Sequence, residues 1–208
     1  SYILREDLIK KMEKYEEALN DYDEAIELDP DNSYCYCNRG IAYEKMGEYQ
    51  EAINDYNKAI ELDPNSVAFY FARGDVYEIL KKYEEAINDY DKAIELDSNV
   101  NSVYYYNRGN AYFSLGKFEE AIQDYNKAID LNPNDDLSYN NKGDAYFNLG
   151  KFEDAIQDYN KTIDLNPNDN YAYFNRGAAF TYLNEYEKAI NDFNKAIDLN
   201  PNNASYYN

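Results

Sequence analysis

SVYYYNRGNAYFSLGKFEEAIQDYNKAIDLNPND, residues 102–135, is one complete copy of the pattern in which the chain is written. Tyr105 and Gly109 lie four residues apart, as do Ala121 and Tyr125, and Pro133 closes the stretch. Steps of three and four residues mark one face of a helix. The stretch therefore reads as a pair of helices, with proline ending the second.

The pattern recurs along the chain. Pro30 and Pro64 are 34 residues apart, and Pro133, Pro167 and Pro201 carry the period on. A period between 20 and 50 residues is the signature of a solenoid, propeller or array. Six copies follow at 1–32, 33–66, 67–101, 102–135, 136–169 and 170–203, the first opening inside its first helix and 204–208 forming a stub of the next. Residues 1–208 thus read as a single array. The chain lacks an initiating Met and opens and closes within a repeat, as an excised fragment would.

The repeated columns explain the period. The first helix of the five full copies carries Tyr36, Tyr70, Tyr105, Tyr139 and Tyr173, then Gly40, Gly74, Gly109, Gly143 and Gly177. The second helix carries Ala18, Ala52, Ala86, Ala121, Ala155 and Ala189, each followed four residues on by Tyr22, Tyr56, Tyr90, Tyr125, Tyr159 or Phe193. Small residues on facing helices allow close backbone approach, and the rings fill the gaps between pairs. Glycine inside a helix costs about 1 kcal/mol against alanine, so a whole column of it implies a tight crossing. Three departures stand out: Glu6 in the glycine column of the first copy, Ser98 in the proline column of the third, and Thr162 in the last small column of the fifth. The first should loosen its crossing, and the second should lengthen a turn.

This set of columns resembles the tetratricopeptide repeat, in which an aromatic, a small residue and an aromatic on helix A precede alanine, aromatic, alanine and proline on helix B. The resemblance covers essentially the whole chain. It implies an all-α solenoid, a right-handed superhelix of stacked antiparallel helix pairs whose A helices line a concave groove. It further implies a non-enzymatic scaffold that binds a peptide or protein segment in that groove.

Composition narrows the function. The net charge is −21, which disfavours nucleic acid phosphates and anionic membrane surfaces and favours partners with basic segments. Acidic residues such as Glu84, Glu85, Glu119 and Glu120 also suit helix starts, so solubility alone accounts for much of the charge. No long apolar run is present to span a membrane. The absence of histidine removes the usual general base and the commonest metal ligand, so no enzyme, cofactor or metal is expected. Cys35 and Cys37 would point in different directions on one helix; this argues against a disulfide between them and modestly for a reducing, cytoplasmic setting. Asp130-Asn132-Asn134 and Asp164-Asn166-Asn168 imitate the start of a calcium loop but lack its glycine and glutamate. Asn160-Lys161-Thr162 and Asn203-Ala204-Ser205 match a glycosylation sequon by chance in an asparagine-rich chain.

A charged pair also recurs. Arg39, Arg73, Arg108, Lys142 and Arg176 precede the glycine, while Asp55, Asp89, Asp124, Asp158 and Asp192 precede the helix B aromatic. An ion pair between the two helices of each copy is one reading. The other pairs each Asp with the lysine three residues on, as in Asp55 with Lys58.

The candidate binding face lies between the fixed columns of helix A, at positions that change from copy to copy. One column holds Tyr34, Ala68, Val103, Leu137 and Tyr171; the next Cys37, Phe71, Tyr106, Asn140 and Phe174; the third Ile41, Asp75, Asn110, Asp144 and Ala178. A fourth holds Asn38, Asn107, Asn141 and Asn175, broken by Ala72. Amides donate and accept at once, and the resemblance implies that this column meets a peptide backbone. The peptide-binding residues expected are Tyr34, Cys37, Asn38, Phe71, Asp75, Tyr106, Asn107, Asn110, Asn141, Asp144, Tyr171, Phe174 and Asn175. One subtype of the family grips a terminal carboxylate with cations, but the matching columns here hold Ala68, Phe71, Ala72, Val103 and Asn107. An internal or basic segment is the better expectation. The alternative is a self-assembling module, a homo-oligomer joined through uncapped repeat ends.

Overall fold

A computed structural model describes residues 2–97 and 99–201, without the side chains of residues 2–13. The expectations for Ser98, for the Glu6 side chain, for the Asn203 sequon and for the stub 204–208 lie outside the described residues. Those described form eleven helices and no strand.

They divide into two bodies, residues 1–100 and 101–208. The first contains α1 (Tyr2–Leu28), α2 (Ser33–Met46), α3 (Tyr49–Leu62), α4 (Val67–Ile79) and α5 (Tyr83–Leu96). The second contains α6 (Ser102–Ser114), α7 (Phe118–Leu131), α8 (Asp136–Asn148), α9 (Phe152–Leu165), α10 (Asn170–Tyr182) and α11 (Tyr186–Leu199). Within each body every helix packs on the next in the chain, so the architecture is an α-solenoid of antiparallel hairpins.

Short turns make the hairpins. Helix α6 ends in a left-handed residue, Gly116 at φ 74°, whose N–H reaches the Phe113 carbonyl at 2.9 Å. Gly47 and Gly150 do the same work, but Lys81 (φ 58°) and Asn184 (φ 61°) hold that conformation with a Cβ. Side chains cap several helix starts: Asp169 Oδ1 accepts from the Tyr171 and Ala172 amides at 2.9 and 3.2 Å. The acidic pairs Glu84-Glu85 and Glu119-Glu120 sit in the first turns of α5 and α7, where the helix dipole favours them.

The first copy departs from the expected hairpin, because α1 runs unbroken across it. Glu13 stands where the next copy has Gly47, and nothing there favours leaving the helix.

The glycine column meets the helix B rings. A Cβ on Gly143 would stand 2.7 Å from Tyr159 Cε1, and one on Gly109 would stand 2.8 Å from Tyr125 Cε1. Both tyrosines are buried, together with Ala121, Ala128 and Ala155. Close packing of small against large residues thus sets the crossing of each pair.

The ion pairs join the two helices of each hairpin. Arg73 Nε and Nη2 donate to Asp89 Oδ2 and Oδ1 at 2.8 and 2.6 Å, and Arg176 does likewise to Asp192 at 2.7 and 2.7 Å. The lysine three residues on pairs elsewhere, Lys58 with Glu61 at 2.9 Å and Lys92 with Glu95 at 2.7 Å, whereas Lys142 of the arginine column meets Asp158 at 2.9 Å. The remaining Arg nitrogen extends the link to the preceding helix B, where Arg73 Nη1 meets Asn57 Oδ1 at 2.5 Å and Arg176 Nη1 meets Asn160 Oδ1 at 2.6 Å. That second bond occupies the asparagine of the inner sequon, whose Thr162 is fully buried. No helix among the described residues is long and apolar enough to cross a membrane.

Candidate functional site

Three groups emerge from the thirteen residues expected to bind. Tyr34, Asn38 and Tyr171 are exposed, Tyr34 at 64% and Tyr171 at 59%. The Tyr34 ring also meets the Phe69 ring edge-on at 5.6 Å. Phe71, Tyr106 and Phe174 are half-buried, each tilted against the helix B ring of its own hairpin: Tyr90 at 5.8 Å, Tyr125 at 6.2 Å and Phe193 at 5.5 Å. Asn107 is half-buried too.

Cys37 belongs to neither surface group. It is buried in the core with Ala52, Ile53, Tyr56 and Phe69, and burial raises its thiol to about 11. Its place on the binding face is therefore corrected: a small apolar side chain in that column sinks between the hairpins, where a ring cannot.

The third group is a set of hydrogen-bonded nodes. Each helix B tyrosine is an apolar ring with a hydroxyl at its far end, and that hydroxyl emerges on the variable face of helix A. Tyr90 OH donates to Asp75 Oδ1 at 2.8 Å, Tyr125 OH to Asn110 Oδ1 at 2.8 Å, and Tyr159 OH to Asp144 Oδ1 at 2.7 Å. In the second body the asparagine column completes the nodes from the next hairpin. Asn141 Nδ2 donates to Asn110 Oδ1 at 2.9 Å, and Asn175 Nδ2 to Asp144 Oδ1 at 2.9 Å. The scaffold therefore uses positions that vary from copy to copy, through an acceptor that either aspartate or asparagine supplies. Ile41 offers no acceptor, and Tyr56 OH donates to Glu44 Oε2 at 3.2 Å, just as Tyr90 OH reaches Glu78 Oε2 at 3.0 Å beside Asp75.

Charge at these nodes is out of balance. Burial raises the Asp144 carboxyl to about 6 and outweighs its two hydrogen bonds, with Asp169 adding repulsion. Burial first, and then the neighbouring carboxylate, holds the Tyr159 phenol far above its usual range. Asn140 Oδ1, one turn before Asp144, is buried without a hydrogen-bond donor.

Above the Asp144 node lies a cleft of about 430 Å³ within the second body. It is lined by Phe113, Phe147, Phe174 and Tyr182 together with Asn148, Asn175, Ala178, Asp144 and Tyr159. The Tyr182 ring stacks on Phe152 at 4.6 Å and meets Phe147 edge-on at 5.4 Å, so the wall is a braced aromatic cluster. Sequence reasoning missed Phe113, Phe147 and Tyr182. The signal was present, because the columns one turn beyond Asp144 also change from copy to copy, with Glu44, Glu78, Phe113, Phe147 and Thr181 in one of them.

Stacked helical hairpins with a variable, ring-lined face define a repeat scaffold, a class that works by offering surface to other proteins. The chain belongs to the tetratricopeptide repeat family: the model of that repeat matches residues 33–66, 67–100, 137–169 and 171–203, and further models match 8–47, 89–123 and 109–150. Members of this scaffold class are generally non-enzymatic. Comparison with curated proteins finds no match. Among solved structures, YrrB, a TPR protein with an unusual peptide-binding site, is 26% identical with a TM-score of 0.77, covering 89% of this chain and 95% of that one. A MamA protein is 29% identical with a TM-score of 0.77, covering 84% and 94%. A MamA from Desulfovibrio magneticus RS-1, 19% identical with a TM-score of 0.78 over 83% and 97%, shares the fold.

Proposed function

We propose that the chain is an adaptor that holds a peptide or protein segment against the A-helix face of its second body. The carrying observation is the aromatic cleft described above, with Leu137 and Tyr171 exposed on the same two A helices. A segment laid across α8 and α10 would cover these side chains and fill the cleft, the arrangement in which a few buried anchors supply most of the affinity. The first body carries similar chemistry on its own A helices, with Tyr34 and Asn38 exposed on α2 and Phe71 and Asp75 half-buried on α4. YrrB, similar over most of its length, carries a peptide-binding site, which supports this use of the scaffold. Because the asparagine amides of α8 and α10 are already bonded to neighbouring nodes, contact here rests on rings, apolar side chains and carboxylates more than on free amides. The net charge of −21 favours a segment rich in basic side chains.

Titration of the chain with a peptide library tests the proposal. Binders are expected whose affinity falls about tenfold on Tyr171→Ala or Leu137→Ala, with thermal stability unchanged because both side chains are exposed. Binding indifferent to both changes would defeat it.

A further inference from the structure

Asp144 and Asn110 occupy the same place in successive hairpins and accept the same two hydrogen bonds, from a helix B tyrosine and from the asparagine of the next A helix. The distances agree to within 0.1 Å: 2.8 and 2.9 Å at Asn110, 2.7 and 2.9 Å at Asp144. The fold is thus satisfied by a neutral acceptor. A half-buried carboxylate in the same position is an unfavourable choice for stability, and residues that sacrifice stability without structural need mark places where function asks for them.

What the carboxylate offers is its second oxygen. Both node bonds fall on Oδ1, and no donor from the described residues reaches Oδ2. The group faces a cleft walled by Phe113, Phe147, Phe174 and Tyr182, and neither lysine nor arginine lines it. An open cleft walled by aromatic rings with one negative group in its lining suits a cation carried on an apolar stem. A terminal carboxylate would be repelled, and a purely apolar side chain would leave Oδ2 without a donor.

We propose that this cleft is a pocket for a single lysine or arginine side chain of the bound segment, with Asp144 Oδ2 receiving the cationic head and the rings flanking its stem. The pocket rests on the adaptor reading above and supplies its specificity. Partial burial sharpens that specificity, because a neutral side chain of equal length covers the carboxylate and leaves it unpaired. The raised carboxyl of Asp144 fits the same arrangement, since an arriving cation removes the imbalance that burial creates. The other groups around it add no competing cation: Tyr159 is a donor from α9, Asn175 a neutral donor from α10, and Asp169 an anion.

Nuclear magnetic resonance titration at pH 8 separates the possibilities. The probes are Nα-acetyl-lysine amide, Nα-acetyl-arginine amide and the neutral isostere Nα-acetyl-norleucine amide, each to about 50 mM, where even a millimolar site fills. The cations should shift the amides of Asn148, Asn175 and Ala178 saturably, and norleucine should bind at least tenfold more weakly. Asp144→Asn, which keeps the node, should abolish the difference between charged and neutral probes while the fold stays intact. Equal response to norleucine, unaltered cation binding by Asp144→Asn, or no shift at all would overturn the pocket. The adaptor reading fails separately: if library peptides bind through Tyr171 and Leu137 without discriminating lysine from norleucine, the adaptor stands and the pocket falls, whereas absence of any peptide binding removes both.

Discussion

Arg108 grips Asp124 with two parallel hydrogen bonds, Nε to Oδ2 at 2.7 Å and Nη2 to Oδ1 at 2.6 Å, across the gap between α6 and α7. Both side chains are mostly withdrawn from water, at 18% and 6% exposure. Removing one partner of such a pair strands the other charge, which typically costs 3–5 kcal/mol. Arg108→Leu should therefore lower the unfolding free energy by about 3 kcal/mol, while Lys127→Ala, at an exposed site, stays within about 0.5 kcal/mol. Urea denaturation of the two variants is the measurement, and equal stability would show that the pair is incidental.

Gly143→Ala opposes two effects of known size. Alanine improves helix propensity by about 1 kcal/mol. Its Cβ, however, would stand 2.7 Å from Tyr159 Cε1, and that ring is buried and tied by its hydroxyl to Asp144. Overpacking of this kind costs about 1–3 kcal/mol, so a net loss is expected. Gly150→Ala is a useful control of different origin: it meets no atom but must hold φ 72° with a side chain. A gain in melting temperature for Gly143→Ala would contradict the tight crossing.

Much of this was legible in the sequence because each copy repeats the same physical solution. Gly109, Ala121 and Tyr125 fix a hairpin wherever they recur, and the Arg108–Asp124 pair could be inferred from two columns moving together. The failures share a cause. A column read as unconstrained, Asp75, Asn110 and Asp144, is bound by a hydroxyl from another helix, and no periodicity within one helix reveals what reaches it from the next. Cys37 misled for the same reason, since its burial depends on Phe69 and Ala52 across two neighbouring helices. The unbroken α1 was not legible either, since Glu13 differs from Gly47 but Lys81, no better suited to a left-handed turn, still makes one.

Two hairpin turns carry a removable strain. Lys81 and Asn184 sit at φ 58° and 61°, where a Cβ crowds the backbone and glycine does not. Lys81 accepts the position because its N–H bonds the Glu78 carbonyl at 2.9 Å and the next amide bonds Tyr77 at 2.8 Å. Lys81→Gly keeps both bonds and should stabilise the first body by about 0.5–1 kcal/mol, with Asn184→Gly smaller because asparagine tolerates this region better. Thermal melts that order the gains the other way would show that side-chain contacts outweigh the backbone term.

Asp144 should make stability fall as pH rises. Its carboxyl is held at about 6 in the folded chain, against an ordinary value of 3.8, chiefly by burial. Between those values the folded chain keeps the proton that the unfolded chain has released, so the folded state is favoured at low pH and loses that advantage as pH climbs through 6. A shift of about two units corresponds to roughly 3 kcal/mol, fully lost by about pH 8. Other carboxyls raised by burial, Glu78, Asp89 and Asp158, act in the same direction, so the wild-type profile alone does not isolate this one. The difference between wild type and Asp144→Asn does. Asparagine reproduces the Asn110 node without a titrating group, so the variant should match wild type near pH 4 and exceed it by up to about 3 kcal/mol near pH 8. Denaturation midpoints at several pH values measure that difference, and a gap that is constant or narrows with rising pH would mean that the Asp144 carboxylate is not held in an unfavourable state.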